Sequence, residues 1–170
     1  KAGAILPIPH GHLPVHVDTK WLIAFLKTAS CEIFEGIGIL AKVDFGKLAQ
    51  EKGQSDAVKQ YGAMLVKDHG DHKTKAEQVA SELGVTPPTG SGIGAKATYA
   101  KLKILSGASF DRSFAKSMVK AKEDIKEYRQ EATKADAAGR LAKETLPILQ
   151  KHLQEAQSLE KQTAQKQSSR

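Results

Sequence analysis

The chain of 170 residues has one cysteine, Cys31, so it can form no internal disulfide. It has no apolar run near the roughly 18 residues that a membrane-crossing helix needs. Its apolar runs, Ile37 to Ala41 among them, are far shorter. Aromatic residues make up only 5% of the chain, and no stretch alternates apolar with polar residues at a strand's period of two. These absences exclude a disulfide scaffold, a membrane-spanning helix and a β-rich domain. Ala, Leu, Lys, Gln and Glu are prominent instead, residues that lose little freedom in a helix. The length suits one domain with a sizeable core. The formal net charge is +7, which draws anionic partners. Lys and Arg are nevertheless mixed with Glu and Asp along the chain, so nucleic acid is not the expected partner. The densest series is Lys96, Lys101, Lys103, Lys116, Lys120, Lys122 and Lys126. It reads as a solvated helix surface, or as a face that recruits an anionic surface.

Residues 1–17 contain Pro7, Pro9 and Pro14 and are expected to form an irregular arm. From Asp18 or Thr19 a helical stripe runs through Trp21, Leu22, Phe25 and Leu26, passes Gly36 and stops at Gly53. This is one long helix bent near Gly36, or a short helix followed by a longer one. Ser55 and Asp56 open a second helix with Val58, Tyr61, Leu65, Asp68, His72, Ala76, Val79 and Leu83 on one face, and Gly84 suits its C-terminal cap. A loop with Pro87, Pro88 and glycines leads to a short helix near Lys96–Leu105. Ser109 is expected to cap a third long helix reaching Ala132. The last helix carries Leu141, Leu146, Leu149, Leu153, Ala156 and Leu159, with Pro147 in its first turn behind Thr145 or as a kink within it. The expectation is an all-α four-helix bundle over 18–160 with a short extra helix in its long connection. A tail, 161–170, should fray.

The second helix holds the residues most able to carry chemistry. Asp68 and His72, four apart, project the same way, with His69 beside them. With Asp111 and His152 from later helices they are candidate ligands for a divalent ion such as zinc or iron. The opposing reading is structural: Asp111 complements a helix dipole, and the others hydrogen-bond between helices. No Glu-x-x-His pair of the di-iron bundles occurs. His10, His12 and His16 give the arm a loose metal-binding composition. Cys31 has no neighbouring base and reads as an inert thiol. Gly90-Ser91-Gly92-Ile93-Gly94 lacks the lysine of a phosphate loop. No catalytic constellation and no required cofactor emerge.

Four segments carry a resemblance. Phe45-Gly46-Lys47-Leu48-Ala49, Val66-Lys67-Asp68-His69, Leu105-Ser106-Gly107-Ala108-Ser109-Phe110-Asp111-Arg112, and Thr145-Leu146-Pro147 with His152 occur in that order. Together they resemble the bacterial DUF4142 group, ferritin-like helical proteins often labelled outer-membrane proteins. The resemblance implies a ferritin-like bundle exported to the periplasm or beyond, its signal peptide already removed, as the start at Lys1 suggests. It implies no defined activity. Two positions depart from the family pattern: Lys42 stands where Glu is usual, and Lys122 where His is usual. Both would be natural ligands of a ferritin-like centre. Lysine at both favours a lost metal site, or one that takes an anion. The leading expectation is therefore a non-enzymatic exported bundle that binds an anionic envelope component or a protein, with a metal-binding or redox bundle as the alternative.

Overall fold

A computed structural model describes residues 38–82, 84, 86, 90–120 and 122–168. The arm with His10, His12 and His16, the Trp21 stripe, Cys31, Leu83, Pro87 and Pro88 lie outside the described residues. The described chain is all-helical, in the order α1 (Gly38–Lys52), α2 (Asp56–Glu82), α3 (Ile93–Lys103), α4 (Gly107–Val119), α5 (Lys122–Glu131) and α6 (Ala137–Ser168). No strand occurs among the described residues.

The closest packing is between α1 and α2. Gly53 ends α1, its N–H reaching the Ala49 carbonyl at 2.9 Å, and Asp56 opens α2 three residues later. The two helices run antiparallel, with Gly46 against Gly62. A Cβ built on either glycine would sit 2.6 Å from the other's carbonyl oxygen, so the two backbones touch. That contact explains why the Phe45-Gly46-Lys47-Leu48-Ala49 segment has glycine at its centre. Phe45, Leu48 and Ala49 on α1 then meet Val58, Tyr61 and Leu65 on α2 in one core. Phe110, Phe114 and Met118 of α4 enter the same core with Ala156 and Leu159 of α6. Gly84, where α2 ends, has φ +67°, a conformation in which a side chain would be strained.

Cross-helix contacts set the directions. Tyr61 of α2 packs edge-on to Phe114 and bonds the His152 carbonyl, while His72, further along α2, meets Tyr128 and Thr145. The α4–α5 pair therefore runs the same way as α2, and α6 runs against it. The segment between α2 and α4 must return along the length of the molecule, and α3 packs against α1 on that return.

Several local expectations are corrected. The third long helix is two helices, broken between Val119 and Lys122 with no glycine or proline at the break. Its first residue is Gly107, so the N-cap position is Ser106 and not Ser109, and the Ser106 side chain makes no cap bond. Asp136 caps α6 instead, accepting from the Gly139 N–H at 2.8 Å. Pro147 lies in the interior of α6, not in its first turn, and denies the Lys143 carbonyl its usual donor four residues on. Thr145 is no cap: its hydroxyl bonds the Leu141 carbonyl one turn back at 2.8 Å. The stretch from Lys161 that was expected to fray is helical to Ser168, with Thr163 buried and bonded to the Leu159 carbonyl.

Candidate functional site

The polar residues of α2 lie where its inner face meets α6. His152 Nε2 donates to Asp68 Oδ2 at 2.9 Å. The two hold each other across 84 residues of sequence. The Asp68 side chain is 23% exposed, so one edge of the pair is wet, and Lys67 Nζ stands 3.7 Å from its Oδ1. His69, not Asp68, is the residue that α2 turns fully inward. Its ring lies 5.2 Å from that of His152. Burial pushes the His69 imidazole well below its usual pKa, and the positive potential of His152, Lys42 and His72 pushes the same way. Tyr61 donates to the His152 carbonyl at 3.1 Å, and burial, then the Glu155 charge, raise its phenol above the ordinary range.

One turn further along α2, His72 forms a second station. Its Nε2 lies 2.8 Å from the Tyr128 hydroxyl and its Nδ1 lies 2.9 Å from the Thr145 hydroxyl. With the single Thr145 proton committed to the Leu141 carbonyl, the network assigns the ring proton to Nδ1, and Nε2 accepts from Tyr128. Burial first, then Lys75, lowers the His72 pKa to about 4. The cavity beside it, lined by His72, Tyr128, Glu131 and Leu141, is about 10 Å³, room for no more than a water.

Asp111 belongs to neither station. Its two oxygens accept from the backbone N–H groups of Gln54 and Ser55, each at 2.9 Å, and so close the start of α2. The five candidate ligands thus divide: Asp68, His69 and His152 come together, His72 stands apart with a tyrosine and a threonine, and Asp111 serves the turn. Among the described residues no group of three or more His, Cys, Asp or Glu side chains is arranged to hold a metal ion. The Asp68 oxygen that faces inward is taken by His152, and Lys42 places positive potential at His69. Among the described residues the feature that fits a metal is His152 Nδ1, which is buried and has no partner. Replacing Asp68 by alanine strips His152 of its carboxylate and is expected to cost about 1–3 kcal/mol. Thermal melts with and without zinc check it: the same loss in both is the structural outcome, whereas a zinc-dependent gain in the original protein alone assigns a metal site.

A second feature lies on the outside. Between α1 and α3 runs a groove of about 500 Å³, within the range of small-molecule sites. Leu40, Val43, Phe45 and Tyr99 supply its apolar surface, with the last two rings 6.2 Å apart and nearly parallel. Lys47, Lys73 and Lys96 line it too, with one lining carboxylate, Asp44, and with Lys73 paired to Glu77 one turn on at 3.4 Å. Sequence reasoning missed this groove because three separate segments and the return loop at Gly90 and Ser91 build it. It also missed the pairing of Tyr128 and Thr145 with His72, and the burial of Glu131, whose carboxylate accepts from Lys134 at 2.7 Å.

An all-helical chain with a histidine-bearing core and a lysine-lined groove defines a class by its architecture and not by a reaction. Within that class the chain belongs to the DUF4142 family, a domain of unknown function whose model matches residues 37–159. No curated protein and no solved structure matches it.

Proposed function

We propose that this chain is an exported, ferritin-like four-helix bundle that acts without catalysis, by binding an anionic envelope component in the α1–α3 groove. The ferritin-like reading is supported by the helix directions, since α2 and α4–α5 run parallel and need one long return between them. Export rests on the family resemblance. Among the described residues no helix is long and apolar enough to cross a membrane. The observation that carries the binding reading is the groove itself, where Lys47, Lys96 and a Lys73 shared with Glu77 stand with Asp44 around an apolar floor. Such a site suits a ligand with an anionic head and an apolar body, because the ammonium groups reward the head while the floor excludes water from the body. The metal-binding alternative has a single observation in its favour, the unpartnered His152 Nδ1.

Calorimetric titration with dodecyl phosphate below its micelle concentration tests the reading. Affinity is expected to fall roughly tenfold between 50 and 500 mM salt, because exposed charges are screened over a few ångströms at the higher value. Dodecanol, of the same length without charge, should bind more weakly at low salt. Equal affinity for the two, or no binding of either, would overturn the reading.

A further inference from the structure

The short helix α3 is apolar on two opposite faces. Its inner face, Ala95, Tyr99 and Leu102, packs against the core. Its outer face carries Ile93, Ala97 and Ala100, and Ile104, the C-cap residue just past the last helical position and still in right-handed helical backbone, continues that stripe at spacings of four, three and four. All four are exposed, and the two isoleucines are 88% and 84% exposed, the largest values for any big apolar side chain among the described residues. A lone exposed isoleucine is ordinary, but two on one stripe with only alanine between them form a strip of apolar surface.

Charge flanks the strip on both sides. Lys96 and Lys103 lie to one side of it by helical phase and Lys101 to the other, all exposed. Lys52 joins them at the C-terminal end, where its ammonium donates to the Lys103 carbonyl. No acidic residue occurs in α3. An apolar strip bordered by lysines, on a helix whose other face is anchored in a folded body, is the pattern of a helix lying in the plane of an anionic membrane surface. There the isoleucines enter the headgroup boundary and the lysines reach up to the phosphates.

We infer that α3 seats this protein on an anionic phospholipid bilayer through the Ile93–Ala97–Ala100–Ile104 stripe. The inference rests on the proposed anionic binding and names one partner for it, through an apolar stripe outside the groove that has only Lys96 at its border in common with it. Neither isoleucine lines the groove, so the two can be separated. Two isoleucines and two alanines are a small apolar surface, so the attachment is weak, reversible and dependent on the lysines.

The test is co-sedimentation with vesicles of phosphatidylcholine containing one quarter phosphatidylglycerol, and with pure phosphatidylcholine. The full chain should bind the first and not the second. The Ile93→Ser, Ile104→Ser double variant should bind the anionic vesicles about tenfold more weakly or worse, with unchanged helical circular dichroism, since both positions face solvent. Lys101→Gln with Lys103→Gln should weaken binding severalfold for each charge removed. Ile148→Ser, on α6 and 40% exposed, should change nothing. Anionic vesicles bound as tightly by the double variant as by the original would overturn the inference. So would no binding by the original chain, and if dodecyl phosphate still bound in that case, the groove reading would stand alone. A shift from dimer to monomer in vesicle-free buffer on making the double variant would show that the stripe faces a second copy, and would overturn it too.

Discussion

Alanine at Gly62 is expected to lower the unfolding free energy by roughly 2–3 kcal/mol, the cost of overpacking a closed interface. The added Cβ would stand 2.6 Å from the Gly46 carbonyl oxygen, 2.8 Å from the Ala49 Cβ and 3.2 Å from the Gln50 nitrogen. Two of these are backbone atoms held in a helix, so the neighbour cannot rotate away. The only relief is to part α1 from α2, which loosens Phe45 and Leu48 against Leu65. Gly46→Ala meets the same obstacle from the other side, and because the two share one contact their effects should not add. Gly70 supplies the control within the same helix. Nothing lies within 4 Å of a Cβ built there, so Gly70→Ala should stabilise the protein by about 0.5–1 kcal/mol through helix propensity alone. Urea unfolding of the three variants decides it. A Gly62→Ala protein as stable as Gly70→Ala would mean that the backbones of α1 and α2 are not in contact.

Acid should destabilise the protein through its buried histidines. Once unfolded, the His72 imidazole takes up a proton near pH 6.5, whereas in the fold it resists down to about 4. Between those values the unfolded state holds more protons, so stability is full above pH 6.5 and is lost as pH falls towards 4. The shift corresponds to a loss on the order of 3 kcal/mol, and His69, depressed in the same direction, adds to it. Protonation also puts a hydrogen on Nε2, facing the Tyr128 hydroxyl that had been donating to it. Urea midpoints should therefore hold between pH 7.5 and 6.5 and fall from there to 5, and the His72→Gln variant should show a shallower fall. A flat profile over that range would contradict the buried, neutral His72.

The helices were legible because their signals are local. Apolar residues at spacings of three and four mark α1, α2, α4 and α6, and Gly53, Gly84 and Asp136 stop or start elements within a residue or two of where the chain does. Phase was harder. From Leu65, positions 68 and 69 both lie on the inner face, and only the packing against His152 decides that His69 is the buried one. Asp111 read as an acid in a first turn, but the helix starts at Gly107, a turn earlier, and its partners, Gln54 and Ser55, lie 57 and 56 residues away at another helix's start. The break near Lys120 carries no glycine or proline, so no residue in the sequence announces it. Pro147 left two positions open, the first turn behind Thr145 or the helix interior, and the interior is where it lies, because the helix already starts at Ala137. The groove had the least signal of all, because Lys47, Lys73 and Lys96 come from three segments and converge only when α3 packs on α1.

The site of an anionic amphiphile on the folded protein tests the central claim most directly. Dodecyl phosphate carrying a nitroxide on its chain broadens the amide resonances nearest to it, and these can be compared between the original protein and two triple variants of equal charge. One replaces the groove lysines, Lys47, Lys73 and Lys96, by glutamine, and the other replaces Lys59, Lys116 and Lys143, which are exposed elsewhere. Broadening is expected at Val43, Phe45, Ala95 and Tyr99, retained in the second variant and largely abolished in the first. Broadening that spreads over the whole basic surface, or that weakens equally in both variants, would show that net charge alone attracts the ligand and would contradict a groove built to hold it.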